Sequence, residues 1–141
     1  MKNKAVAIWD MSTKPAKGTL RMGSSAIGKT AYLAPADTRR RRATNSIELL
    51  AAALATCFSI ALTAELERLG LRALSSTTTS TLTAKMGNYG WTISDAHLKV
   101  LATVPGAKPG DFITASIKAK LTCPVCRLLN VEIMLQARLQ R

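Results

Sequence analysis

The sequence is poor in several residues on which common active sites depend. Its 141 residues include one histidine, three cysteines and two each of Phe, Tyr and Trp. A single histidine, His97, and the lack of a G-x-S-x-G segment speak against a Ser-His-Asp hydrolase. The chain has one C-x-x-C and no second one, which speaks against a zinc site, so we expect neither a metal nor another cofactor.

Acidic residues are scarce as well. Eight Asp and Glu stand against 20 Lys and Arg, for a formal net charge of +12, which favours anionic partners. The four arginines at 39–42 predict a solvated loop, a polyanion-binding segment or the source of an active-site arginine. No helix-turn-helix, RNP motif or zinc-finger spacing accompanies them, and few rings are present for stacking on bases, so nucleic acid is not the partner we expect.

The N-terminus lacks the apolar region and cleavage site of a secretory signal, and no apolar run reaches the roughly 18–20 residues of a membrane helix. The most apolar stretch carries Thr56 and Ser59 and lies between Glu48 and Glu65. These features predict a cytoplasmic protein without a membrane span. In that compartment thiols stay reduced, so paired cysteines are usually catalytic or metal-binding.

The order of periodic segments predicts a single α+β domain over residues 1–141. Asn45 as N-cap, Glu48 at the capping-box position and Gly70 as the stop predict a long helix over 46–69. The other predicted elements are an antiparallel strand meander over 2–10 and 17–33, strands over 74–86 and 91–104, a helix from Pro109, a short helix after Cys123 and a last strand over 131–139.

The first half of the long helix is apolar on all sides, so we expect it to be covered on every side. One sheet covers only one side of such a helix, and a second copy of the same helix would cover the other. A homodimer is therefore predicted, since two-fold pairing is the commonest oligomeric form.

The cysteines are the candidate reactive residues. Cys57 lies inside the long helix, where it is either an inert core residue or a nucleophile. Pro124 suits the first position of a short helix, which would leave Cys123 at its N-terminus, where free N–H groups favour a thiolate. A thioredoxin-like use of the C-x-x-C is not favoured, because that motif belongs after an early strand in a βαβ context.

Three segments together resemble the OsmC/Ohr family (osmotically inducible protein C and organic hydroperoxide resistance protein). The segment TNSIELLAAALATCFSIAL is similar to the family pattern TNPEELxxAAxAACFSMAL, and KAKLTCPVCRLL is similar to AKxxCPVSxxL. Between them, ATVPGAKPGDF is similar to VPGxxxxxF. The resemblance covers roughly residues 6–140, on the OsmC-like side of the family.

The resemblance implies an α+β fold in which antiparallel sheets surround a long buried central helix in an interleaved homodimer. It also implies a thiol peroxidase, in which Cys57 attacks an organic hydroperoxide and becomes a sulfenic acid, and Cys123 then forms a disulfide with it. A dithiol reductant, such as a lipoylated protein, would reopen that disulfide.

The sequence departs from the family pattern at three places. The family glutamate ten residues before the first cysteine is Ile47 here, and Glu48, one place along, is the candidate replacement. The family arginine aligns without gaps with Asp37, and a two-residue shift makes Arg39 the candidate. The serine of CPVS is Cys126, either an alternate resolving thiol able to exchange disulfides with Cys123 or an isosteric replacement. An alternative function is therefore a decayed peroxidase that acts as a redox sensor or binds a small ligand.

Overall fold

The computed structural model of the chain describes residues 1–34 and 42–140. The chain forms two compact units, Met1–Leu49 and Leu50–Arg141, which are described in turn. A single domain over the whole chain stays a prediction.

The first unit contains a four-stranded sheet in the order β1-β2-β3-β4. Strands β1, β2 and β3 form the predicted antiparallel meander, whereas the two-residue β4 runs parallel to β3 and is too short to give a periodic pattern. Few of its residues are buried, Leu20 and Leu33 among them, while Ile8 and Trp9 are 61% and 40% exposed. The strands are β1 Ala5–Asp10, β2 Lys17–Met22, β3 Thr30–Leu33 and β4 Thr44–Asn45.

The long helix α1 spans Ser46–Arg68, close to the predicted bounds. The side-chain oxygen of Asn45 accepts hydrogen bonds from the N–H groups of Ile47 and Glu48 at 3.0 and 2.9 Å, which confirms the N-cap. The chain leaves the helix at Gly70, whose φ of +69° lies in the left-handed region that favours glycine. The Glu48 carboxylate accepts from the Thr44 hydroxyl at 2.5 Å, rather than from the Asn45 N–H of a capping box.

The second unit contains a three-stranded sheet in the order β5-β6-β7. Strands β5 and β6 form the predicted antiparallel hairpin, but β7 runs parallel to β6, so this sheet is mixed and the expectation of purely antiparallel sheets needs this correction. The reason is the connection, because a helical crossover returns the chain in a parallel direction. The elements are β5 Ser75–Gly87, β6 Gly90–Thr103, α2 Pro109–Thr122, α3 Pro124–Leu128 and β7 Ile133–Leu139.

Alternation along β6 builds the core of the second unit. From Ala96 to Ala102 every second residue of this strand is buried, and the buried residues of α1 recur at the spacing of one helix face. The two sets meet in one apolar cluster that also includes the inner side of α2. Its main members are Leu54, Phe58, Leu62, Leu66, Ala96, Leu98, Val100, Ala102, Phe112, Ala115 and Ala119.

Only one face of α1 is covered within a single chain. Of its most apolar 18-residue window, 17% of the residues are buried, and Ile60 on the open side is 73% exposed. By length and composition alone this helix could cross a membrane, a test that the core helix of a soluble protein also passes. The expectation of a helix buried on every side is therefore not met by one chain.

Candidate active site

The three cysteines come from two places in the fold. Cys57 lies half-buried on α1, one residue before the fully buried Phe58. Cys123 is fully buried and closes α2 while it opens α3, as the sequence predicted from Pro124. Cys126 lies one turn further along α3 and is also buried. All three are free thiols that belong to, or pack against, the same core cluster.

Cys123, at the junction between α2 and α3, lies next to Cys57 of α1. Cys123 lies beside Cys57, where its side chain raises the pKa of the Cys57 thiol, and the backbone N–H of Val125 acts on the same thiol and lowers its pKa. The two thiols that the sequence singled out are thus brought together, and a backbone donor points at one of them.

Cys126 completes a cluster of three sulfurs. Its backbone N–H donates to the Cys123 sulfur at 3.3 Å, and Cys123 and Cys57 both raise the pKa of its thiol. Cys123 therefore lies beside both of the other cysteines.

The protein environment disfavours the charged form of two of these thiols. Burial raises the pKa of Cys57, the Val125 N–H opposes the rise, and the hydrogen bond and charge of Cys123 add to it. Burial, together with Cys123 and the charge of Cys57, raises the pKa of Cys126 to about 12. Within residues 1–34 and 42–140, no Lys or Arg lowers the pKa of Cys57.

The other predicted site residues lie apart from this cluster or outside the described residues. Arg39 is outside the described residues, and Arg42, the last of the arginine run, is exposed. Glu48 is exposed near the start of α1 with its carboxylate on Thr44, and Ile47 beside it is half-buried. His97 is exposed on β6, opposite Thr81 of β5 and Met134 of β7.

In the part of the chain that the structure describes, no group of three or more His, Cys, Asp or Glu could hold a metal ion. Two open grooves of about 620 and 700 Å³ run along α2 and β7, and Ile113 and Arg138 line both. No cysteine lines either groove, so the thiol cluster and these grooves are separate features.

Two contributors to the site escape sequence reasoning. The Val125 N–H acts through the backbone, and only its position in the first turn after Cys123 could have pointed to it. The Ser59 hydroxyl donates to Thr78 on β5 at 2.8 Å and so ties α1, two residues from Cys57, to the sheet. A hydroxyl within an apolar helical run was the available signal.

Fold and site together define the class: an α+β protein with a buried centre of three free thiols between a long helix and a C-x-x-C turn. The family profile described as OsmC-like protein matches residues 37–137, which include all three cysteines. The chain belongs to the OsmC-like family, as the three sequence segments predicted.

Known relatives agree with this assignment. The chain is 33% identical to Peroxiredoxin OsmC of Escherichia coli K12 over 137 residues, which cover 97% of this chain and 96% of the relative. The structure is similar to OhrB, the organic hydroperoxide resistance protein of Bacillus subtilis, with a TM-score of 0.79, 17% identity and 98% of both chains covered. It is also similar to an OsmC-like protein of unknown function from Vibrio cholerae, with a TM-score of 0.81, 12% identity and coverage of 98% and 99%. These structures confirm the predicted OsmC-like fold.

Proposed function

We propose that the protein is a thiol peroxidase that reduces organic hydroperoxides, with Cys57 as the peroxidatic and Cys123 as the resolving cysteine. The observation that carries the proposal is the proximity of these two thiols, since Cys57 packs against the core cluster that contains Cys123 and the two side chains interact. A sulfenic acid on Cys57 would form next to the thiol that must condense with it, before further oxidation to a sulfinic acid.

The reaction has two steps within the protein. The Cys57 thiolate attacks the outer oxygen of the hydroperoxide, the O–O bond breaks, and the alkoxide leaves as an alcohol after it takes up a proton. The Cys123 thiol then attacks the sulfenic sulfur, which forms the disulfide and releases water. The Val125 N–H, which lowers the pKa of Cys57, favours negative charge on this sulfur in the first step.

Apolar surroundings favour an organic over an inorganic peroxide. Cys57 packs against the core cluster beside Phe58, so an alkyl or acyl chain is a better match for its surroundings than water or hydrogen peroxide. The same function is suggested by the names of the relatives, a peroxiredoxin in Escherichia coli and an organic hydroperoxide resistance protein in Bacillus subtilis.

A cation must offset the desolvation of Cys57, because burial raises the pKa of this thiol. Arg39 is the candidate for that cation, and Glu48 is the candidate carboxylate to pair with it. A residue nine or ten positions away on one helix is about 15 Å distant, so Glu48 would act on the Cys57 of a partner chain. A dithiol reductant, such as a lipoylated protein, closes the cycle, and no cofactor takes part.

We further propose that the protein works as a cytoplasmic homodimer. Each unit leaves large apolar side chains open to solvent, and exposed apolar surface of this extent is typical of an interface. A second copy would cover the open side of α1. The most exposed large residues on the two units include Ile8, Met11, Ile60, Leu74, Leu121 and Leu128.

A second candidate function is a redox sensor or a small-ligand-binding protein that has lost peroxidase activity. The raised pKa of Cys57 favours it, because a protonated thiol is a poor nucleophile. Ile47, at the position of the family glutamate, favours it as well.

The experiment is a turnover assay of the reduced full chain with cumene hydroperoxide and dihydrolipoamide. We expect Cys57→Ser to abolish peroxide consumption, because no other thiol occupies its position. The matched control is Thr63→Ala, an exposed substitution on the same helix, which should keep the wild-type rate. Wild-type turnover by Cys57→Ser would refute the proposal, and inert wild-type protein would favour the second candidate.

A further inference from the structure

The two-thiol cycle leaves Cys126 without a role. This residue is 7% exposed, and its N–H and thiol are both engaged with Cys123. A buried cysteine is often only a small apolar residue. Here, however, it contacts the sulfur at which the proposed disulfide would form, and this placement suggests chemistry.

We propose that Cys126 is a third redox-active thiol, which takes the disulfide over from Cys57, so that the bond presented to the reductant is Cys123–Cys126. The proposal rests on the proposed function, because Cys57 must first form a disulfide with Cys123. It differs from an alternate resolving role, in which Cys126 itself would attack the sulfenic acid.

The position of Cys123 supports a transfer of this kind. Its sulfur accepts a hydrogen bond from the Cys126 N–H at 3.3 Å and interacts with the thiols of both Cys57 and Cys126, so both possible disulfide partners lie beside it. Cys123 and Cys126 stand one helical turn apart, as N-cap and third residue of α3. Side chains three residues apart on a helix have Cβ atoms about 5–6 Å apart, and a disulfide needs about 3.5–4.5 Å. Closing the bond therefore requires a backbone shift of about 1–2 Å, which we expect at Cys123, because its N-cap backbone is extended rather than helical.

The transfer is an ordinary thiol–disulfide exchange and conserves electrons. The Cys126 thiolate attacks the Cys123 sulfur of the Cys57–Cys123 disulfide, the Cys123–Cys126 bond forms, and Cys57 leaves as a thiolate that can take up the proton given up by Cys126. No external oxidant enters this step. An external dithiol later supplies two electrons and two protons to return Cys123 and Cys126 to thiols.

In the reduced protein, Cys126 does not take part in the first step, the attack on the hydroperoxide. The high pKa of its thiol leaves it protonated, so it does not compete with Cys57 for the hydroperoxide. The groups that act on it are Cys123 and Cys57, and when these two are joined as a disulfide neither carries a negative charge. The main remaining cause of the raised pKa is burial. Below the pKa of Cys126 we therefore expect the exchange to become about tenfold faster for each unit by which the pH is raised, because the attacking thiolate becomes more abundant.

Digestion with trypsin gives different peptides for the two disulfides and so distinguishes them. Cleavage after Lys120 and Arg127 places Cys123 and Cys126 together on residues 121–127, whereas Cys57 lies on residues 43–68. A Cys57–Cys123 bond joins these two peptides. A Cys123–Cys126 bond closes a loop within the shorter peptide and lowers its mass by two hydrogens, while Cys57 becomes free for alkylation.

The test is a time course on the reduced full chain after one equivalent of cumene hydroperoxide, quenched with acid and alkylated. We expect the joined peptides to appear first and to disappear as the looped peptide and alkylated Cys57 accumulate. In Cys126→Ser, which restores the family serine, the joined peptides should persist. Cys126→Ala serves as a second variant if the serine perturbs the buried site.

Each other outcome overturns the proposal in a distinguishable way. Joined peptides that persist in the wild type would refute the transfer and leave the peroxidase proposal intact. A looped peptide that forms equally fast in Cys57→Ser would mean direct oxidation of the C-x-x-C, which also refutes the transfer. Unreacted hydroperoxide with all three thiols alkylated would refute the proposed function and the transfer with it.

Discussion

The thiol of Cys57 lies beside that of Cys123, which raises its pKa, although one lies on α1 and the other at the end of α2, with the whole β5–β6 hairpin between them in the sequence. The fold therefore brings together two thiols that no local motif connects. This proximity leads to predictions about the oxidation of Cys57, about the pH dependence of its reactivity and about variants that can be compared directly.

Loss of the resolving thiol should expose Cys57 to overoxidation. In Cys123→Ser we expect the first equivalent of organic hydroperoxide to be consumed, because Cys57 is still present, but turnover with a dithiol should fall sharply. Excess peroxide should convert Cys57 to the sulfinic acid, which thiols do not reduce. Intact-mass measurement checks this. Cys57 that stays a thiol would contradict its assignment.

The reactivity of Cys57 should depend on a cation that the described residues do not supply. Burial raises the pKa of Cys57, so its thiolate, and with it the rate of alkylation by iodoacetamide, increases only at higher pH. If Arg39 supplies the cation, Arg39→Ala should move the midpoint of the pH profile upward by about 1–3 units, since an opposite charge lowers the pKa of a thiol.

Arg40→Ala is the matched control for that experiment, because it removes the same charge one residue away. Its pH midpoint should stay at the wild-type value. Equal midpoints in wild type, Arg39→Ala and Arg40→Ala would remove Arg39 from the site.

The open face of α1 should govern assembly. Ile60 is 73% exposed in one chain, and in the proposed homodimer Ile60→Lys would place a charge in an apolar interface. We expect the dissociation constant to rise by at least about tenfold, equivalent to about 1.4 kcal/mol. Light scattering across a dilution series measures it. The control Thr81→Lys, at an exposed position on β5, should leave the dimer intact.

The stability of the core should depend on the aromatic ring of Phe58, the residue next to Cys57. Phe58 is fully buried on α1, so Phe58→Ala should lower the free energy of unfolding by about 3–5 kcal/mol. The exposed Thr56→Ala should change it by less than about 0.5 kcal/mol. Urea unfolding of reduced protein at one fixed protein concentration compares the two. Equal stabilities would contradict the described core.

Much of the fold could be predicted from local sequence patterns. Asn45 and Gly70 marked the ends of α1, and Pro124 marked the break that leaves Cys123 between two helices, because caps and breaks depend on neighbouring residues alone. The parallel pairing of β7 with β6 was missed, because it depends on the path of α2 and α3 across the core.

The sequence predicted the cysteine side chains of the candidate site but not the backbone group that acts on them. Spacing and family resemblance selected Cys57, Cys123 and Cys126, and the structure brings these three together. The Val125 N–H was missed, since a backbone donor leaves no mark on the residue type. The roles of Arg39 and Glu48 remain predictions, because a loop shift or a partner chain decides what they contact.

The most direct test of the central claim uses Cys126→Ser, in which the thiol pair Cys57 and Cys123 stands alone. After one equivalent of cumene hydroperoxide, non-reducing peptide mapping should give one Cys57–Cys123 disulfide per chain, formed as fast as the peroxide disappears. If both cysteines stay open to alkylation while the peroxide persists, the protein is not a two-cysteine peroxidase.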